Sequence, residues 1–362
     1  MIYNLQILRA VASYLVFLTH FGLYIAPVLP RPDLLAFGAS GVDMFFVLSG
    51  FIMFVSTSGR RESPGEFLLR RASRVVPVYW LVTLGLALIA STGLKPIGIV
   101  EIRPDYVVQS LLFLPFSRGG YVEPLNSVGW TLNYEMFFYL VFAGLLLVPR
   151  PAFRALGAAA IFLVLILLGL LPASGLYWAY YTKPILIEFA AGIGLGYAYS
   201  RLAPPPAGFP VRRVAGAAFA AVLALIVGGQ IVADALGVSP ELSGFARPLV
   251  WGTASVLIVG AMLLLERAGF ALKTRWLLSQ GNASYSFYLV HNLLLHSAAK
   301  IAAVVVAPGI GRAALIFALA FPAAVVAGDL LFRYVETPII AALRRRLDRR
   351  PAPAPLPAPV AS

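Results

Sequence analysis

Leu5 to Phe21 reads LQILRAVASYLVFLTHF, a run apolar enough to enter a bilayer that nevertheless carries Arg9 and His20. Eleven residues at about 100° each bring a helix back to within roughly 20° of its starting direction, about 16 Å further along its axis. Arg9 and His20 therefore share one stripe of one helix at two depths. Charge inside a membrane span is costly, and the default reading of such a residue is functional. The stripe reads as one wall of a site.

Working outward, the 362 residues are 60% hydrophobic and only 12% charged, with a mean hydropathy of +0.87. A soluble domain holds about 25% charged residues, so the composition is that of one polytopic, all-α membrane protein. Ten spans fit, at 5–28, 40–57, 75–92, 130–148, 156–171, 184–200, 214–233, 247–265, 284–306 and 313–334. With the N-terminus inside, the inner segments hold 20 of the 28 Lys and Arg, which places both termini on the cytoplasmic side. The net charge of +13 has the same origin, since the basic residues sit in short loops and no basic, aromatic-interleaved module is present. Nucleic-acid binding is rejected. No basic region precedes the first apolar run, so it reads as an uncleaved first span.

Zero cysteines exclude disulfides, thiolate nucleophiles and Cys-based metal sites. The loop 93–129 is long for a compact protein, and its segment DYVVQSLLFLPF (105–116) predicts an interfacial or re-entrant helix. Residues 201–213, with three consecutive prolines, read as a stiff linker. The domain is expected to occupy 1–350, and PAPAPLPAPVAS from Pro351 reads as a disordered tail that ends the chain without a further soluble domain. No internal repeat and no matched pair of broken helices is present, which counts against a transporter fold.

Each polar position inside a span has two readings. Arg9 can snorkel to headgroups or face a site. Asp43, in ASGVDMFFVLSGF (39–51), is either a helix cap together with Ser40 or a carboxylate that orients a histidine. Ser49 and Gly50 read as a close-packing step. Arg70, Arg71 and Arg74 head the third span, as a topology anchor or as a docking site for an anionic cofactor, since guanidinium pairs bidentately with phosphate. Glu135, in WTLNYEMFFYL (130–140), calls for a partner such as Arg9 or a histidine, because an unpaired buried carboxylate is costly.

His291 and His296, in NASYSFYLVHNLLLHSA (282–298), are five residues apart and about 140° around a helix. They cannot share a face as paired zinc ligands do, and no metal is called for. His291 is the second functional histidine, and His296 reads as packing. Gly192, Gly194 and Gly196 lack dinucleotide-loop spacing and read as a packing face. Nucleophile-elbow, P-loop and His-Glu-x-x-His motifs do not occur.

Six blocks in order now carry a likeness: Arg9 and His20; Gly41 to Gly50; the arginine-rich entry Arg70 to Trp80; Trp130 to Glu135; Ser284, Tyr285, Tyr288, Leu289 and His291; and Glu336-Thr337-Pro338. The chain resembles the membrane-bound acyltransferase family 3, in its exopolysaccharide-production branch, from Leu5 to Pro338. Two positions depart from the pattern, with Gln6 where an acid is common and Met136 where a second glutamate is common. The resemblance implies O-acyl transfer, of acetyl by preference, from acyl-CoA to a hydroxyl of an envelope polysaccharide or its lipid-linked precursor, in a bacterial inner membrane and among membrane lipid. That chemistry needs a base, and the residues offer His20 for it, with Asp43 or Glu135 fixing its tautomer and His291 as the second functional histidine. Arg9, Arg70, Arg71 and Arg74 hold the phosphates of the donor. The stripe spans both halves of the bilayer and is compatible with transfer at either face. A proton-coupled transporter or exporter, and a non-catalytic partner of polysaccharide-synthesis machinery, are the alternative classes.

Overall fold

The computed structural model describes residues 2–25, 32–59, 62–94, 102–118, 121–172, 174–206, 208–235 and 244–348. In chain order the helices are α1 (Tyr3–Ile25), α2 (Ser40–Thr57), α3 (Pro64–Ser91), α4 (Pro104–Leu111), α5 (Trp130–Leu145), α6 (Pro151–Leu168), α7 (Leu176–Tyr181), α8 (Leu186–Arg201), α9 (Val211–Ala235), α10 (Thr253–Arg267), α11 (Arg275–Val305), α12 (Ile310–Leu331) and α13 (Thr337–Asp348). A 3-10 segment, Pro32–Ala39, leads into α2, and π-helical turns precede α10 and follow α12. The two-residue strands Ser117–Arg118 and Tyr121–Val122 pair antiparallel in the long loop.

The protein is an all-α, multi-pass membrane protein. Among the described residues, eight helical stretches are long and apolar enough to cross a bilayer. Two of the ten expected spans, α5 and α8, have 16 residues each. At 1.5 Å per residue they reach only about 24 Å, against a hydrocarbon core of about 30 Å. The expected helix in the 93–129 loop is α4, an eight-residue segment whose last carbonyl, that of Leu111, accepts from Trp80 Nε1. The tail from Pro351 lies outside the described residues.

Two starts differ from the hydropathy reading. Helix α11 begins at Arg275 and not near Ser284. Helix α3 begins at Pro64 and not near Val75, because Ser63 and Glu66 form a reciprocal capping box ahead of a proline in the first turn. Arg70, Arg71 and Arg74 consequently lie within the helix and do not head it.

Lipid tails are as apolar as leucine, so helices in a bilayer associate through close packing and polar contacts. The packing of α2 on α8 shows this. A Cβ added at Gly50 would meet the Phe189 carbonyl oxygen at 2.3 Å, and one at Gly192 would meet that of Val47 at 2.1 Å. This is the close-packing step expected at Ser49–Gly50, met by the glycine face of α8. Helix α1 stands between α2 and α11, its buried face running from Leu5 and Leu8 through Ala12 and Val16 to Phe17. The backbone contact at Gly281, where a Cβ would lie 2.0 Å from the Gln6 carbonyl oxygen, brings α11 hard against α1. That closeness is what allows short side chains on the two helices to meet.

Candidate active site

A cavity of about 100 Å³ opens between α1, α2, α3, α5 and α11. Its polar lining is Arg9, Ser49, Arg71, Arg74, Thr131, Glu135, Tyr139, Ser284, Tyr285 and Tyr288, and Val42, Phe45, Phe46, Leu48, Ile52 and Leu132 supply an apolar wall. Arg9, 9% exposed, donates from Nε and an Nη to Ser284 Oγ at 3.3 and 3.1 Å. Burial to that degree removes the snorkelling reading. Arg71 donates to Ser56 Oγ at 2.7 Å and lies over the Phe67 ring. Glu135 accepts from Tyr139 Oη at 2.6 Å and from Ser49 Oγ at 3.2 Å. It shares the cavity with Arg9, but its hydrogen bonds come from hydroxyls and not from the cation or histidine that the sequence called for. Glu336 is buried behind this lining, accepting from Ser286 at 2.7 Å.

Three guanidinium groups face one carboxylate in this space. That excess of positive charge, held where water is scarce, suits an anionic ligand. Arg70 does not reach it. One residue along a helix is a turn of about 100°, and Arg70 points instead to Glu62, with which it forms an ion pair. Of the four arginines expected to bind the donor, Arg9, Arg71 and Arg74 converge and Arg70 does not.

The two histidines meet further along the same helix pair. His291 Nε2 lies 3.3 Å from His20 Nδ1, with ring centroids 5.0 Å apart. His20 Nδ1 is also 2.9 Å from the Val16 carbonyl, and His291 Nδ1 is 2.7 Å from the Tyr288 carbonyl. Neither histidine lines the cavity. Tyr288 connects the two places, since its ring faces the cavity and lies 5.7 Å from the His291 ring. Its hydroxyl is anchored on Thr131 and on the Val128 carbonyl. His296 sits apart, 3.4 Å from Tyr24 Oη.

Asp43 neither caps α2 nor orients His20. Its carboxylate takes a bidentate pair of bonds from Arg247, at 2.8 and 3.0 Å, and the cap position is Ala39 without a side-chain bond. Glu188 of α8 is fully buried beside it. The sequence reading counted Arg247 only as a loop charge and passed over Glu188, although an acid inside an apolar run is the signal that singled out Glu135. Ser284 and Tyr288 were visible as parts of a motif, but the group each contacts was not. Among the described residues no cluster of His, Asp and Glu could hold a metal ion.

The structure is thus a polytopic helical bundle with a cationic cavity beside a histidine pair. The acyltransferase family 3 profile, described as an acyltransferase domain, matches residues 2–332, and the chain belongs to that family. It is an acyltransferase that moves groups other than aminoacyl. The exopolysaccharide production protein ExoZ of Rhizobium meliloti is 37% identical over 86% of this chain and 92% of its own length. The acyltransferase MdmB of Streptomyces mycarofaciens is 29% identical over 88% of this chain and 85% of its own. The peptidoglycan O-acetyltransferase OatA of Listeria monocytogenes is 24% identical over 83% of this chain, which spans about half of OatA (51%). No solved structure matches the chain.

Proposed function

We propose that this protein transfers an acyl group, acetyl by preference, from acyl-CoA to a hydroxyl of an envelope polysaccharide or its lipid-linked precursor, in a bacterial inner membrane. Family membership supports the transfer. The likeness to an exopolysaccharide production protein and a peptidoglycan O-acetyltransferase supports a carbohydrate hydroxyl as acceptor. The observation that carries the reading is that α1 and α11 meet twice, at Arg9–Ser284 and at His20–His291. A charge-binding half and a proton-handling half are thereby fixed on the same two rigid elements.

In this reading Arg9, Arg71 and Arg74 pair with the donor's phosphates, and the thioester end points toward Tyr288 and the histidines. A sugar hydroxyl is a poor nucleophile until a base takes its proton, and a neutral histidine is suited to that. His20 takes the proton as the hydroxyl oxygen attacks the thioester carbonyl carbon. The C–S bond then breaks, and the proton passes from His20 to the departing thiolate, so the products are the ester and free CoA thiol. Glu135 partly offsets the arginine charge when the cavity is empty. Asp43 serves at one remove, holding the start of α2 through Arg247. The positive cavity belongs to the cytoplasmic end, where the N-terminus is placed by loop charge.

The test is CoA-thiol release by the reconstituted protein given acetyl-CoA and a polysaccharide acceptor. His20→Ala should lower turnover by roughly 10²- to 10⁴-fold, the usual worth of a positioned base, with the folded protein recovered in normal yield. Wild-type turnover in that variant would overturn the assignment. Proton-coupled transport, the alternative class, predicts carbohydrate flux into proteoliposomes without any acyl-CoA.

A further inference from the structure

The base needs its lone pair on one particular nitrogen, and the hydrogen bonds around the two rings determine which. A backbone carbonyl can only accept, so the nitrogen facing the Tyr288 carbonyl at 2.7 Å, His291 Nδ1, carries a hydrogen. A neutral His291 then has its lone pair on Nε2, which points at His20 Nδ1 over 3.3 Å. His20 Nδ1 also faces the Val16 carbonyl at 2.9 Å. Two acceptors converge on that atom, so it carries the hydrogen, and the lone pair of His20 is on Nε2. The His291 ring is fully buried, lies nearly parallel to Phe287 (7° between planes), and is held in this sense by its Nδ1–H bond to the Tyr288 carbonyl.

We propose that His291 is a positioning residue that accepts from His20 Nδ1–H as a second acceptor beside the Val16 carbonyl and so sets the direction of the His20 ring, with Nε2 directed to the acceptor hydroxyl. The inference rests on His20 being the base and supplies the partner that the sequence assigned to Asp43 or Glu135. A neutral imidazole in this place has a consequence. When Nε2 takes the proton, the Nδ1–H bond to His291 becomes charge-assisted and strengthens. The Val16 carbonyl fixes the tautomer alone, and His291 adds the second acceptor and the ring direction.

With three histidines in the chain, ¹⁵N-histidine labelling of the full protein gives an assignable spectrum, using His296→Gln to remove the third. In the wild type at neutral pH, His20 should show a protonated Nδ1 and an unprotonated Nε2, and His291 the same pattern. His291→Phe keeps the aromatic shape without an acceptor, and should lower kcat roughly 10- to 100-fold, the worth of a hydrogen bond to a charged group, with KM for acetyl-CoA unchanged. His291→Gln, which can return an acceptor oxygen to the Nε2 position, should recover most of that loss. The proposal is overturned by a proton on His20 Nε2 in the wild type, by wild-type kcat in His291→Phe, or by a Gln variant no better than Phe. The spectrum is read on wild-type protein and stands even where His291→Phe does not fold. Full turnover in His20→Ala would remove the base itself, a different failure from loss of the His291 effect alone.

Discussion

Two buried polar clusters lie on opposite faces of α2, and they are built on opposite principles. On one face, Arg9, Arg71 and Arg74 surround Glu135 across about 100 Å³ of unfilled space. On the other, Arg247 grips Asp43 beside Glu188, sandwiched near Trp130 and Trp251 with ring distances of 5.8 and 5.2 Å. The first has cations in excess and a void, and the second has carboxyls in excess and close packing. A cation surplus around a cavity suits an anionic ligand. An ion pair filled on every side ties helices together. The Arg247 contact joins the start of α10 to α2 and α8, and α2 in turn carries Val42, Phe46 and Ser49 into the cavity wall.

The largest effect should come from the packed knot. Arg247→Ala leaves Asp43 buried without its counter-charge, and breaking such a pair from one side costs about 3–5 kcal/mol. Detergent-solubilised protein should show a large fall in Tm and poor recovery, while the folded fraction keeps its KM for the acyl donor. A raised KM with unchanged Tm would mean that Arg247 belongs to a ligand site and that the two faces of α2 are not distinct.

The cavity should respond in the reverse way. Arg71→Ala or Arg74→Ala should raise KM for acyl-CoA by roughly 10- to 100-fold, as expected on losing a hydrogen bond to a charged ligand, and leave Tm nearly unchanged or raised. Arg70→Ala is the internal control. Its guanidinium is spent on Glu62 at a partly exposed position, where ion pairs are worth about 0–1 kcal/mol. Titrating the three variants against acetyl-CoA separates cavity arginines from a topology anchor. Equal effects at all three positions would show that the cluster acts through its summed charge and not through the cavity.

How much of this was legible beforehand follows from what each signal depends on. Arg9 and His20 were readable because a charge in an apolar run needs only the local sequence and the helical period. His291 was singled out because the helical period puts it on one side with Tyr288 and Leu295. The start of α3 was not read, because Arg70, Arg71 and Arg74 lower the hydropathy there. Yet Ser63-Pro64-Gly65-Glu66 carries a capping signature that places the start eleven residues earlier. The partner of Asp43 had no local signal at all, since Arg247 lies 204 residues away. Arg9 and Ser284 are separated by 275 positions, and their contact depends on how closely Gly281 lets α11 approach α1. Composition supplies the membrane class, and periodicity supplies one face of one helix. Which buried groups touch is decided by packing.

The smallest expected effect is the sharpest test of the comparison. Glu188 is 1% exposed, and its carboxyl lies against that of Asp43, where a shared proton can join the two. A neutral amide of the same shape can keep that contact, so replacing the acid removes little. Glu188→Gln keeps the volume, removes the potential for a second negative charge next to Asp43, and adds an N–H that Asp43 can accept. Stability should change by less than about 1 kcal/mol, or rise. Asp43→Asn, of equal size but stripping the charge that Arg247 answers, should cost several times more. Thermal melts of the two amide variants side by side would show that asymmetry. If Glu188→Gln proves as damaging as Asp43→Asn, then both carboxyls are engaged by cations, the knot is charge-balanced, and the carboxyl excess that sets it apart from the cavity is gone.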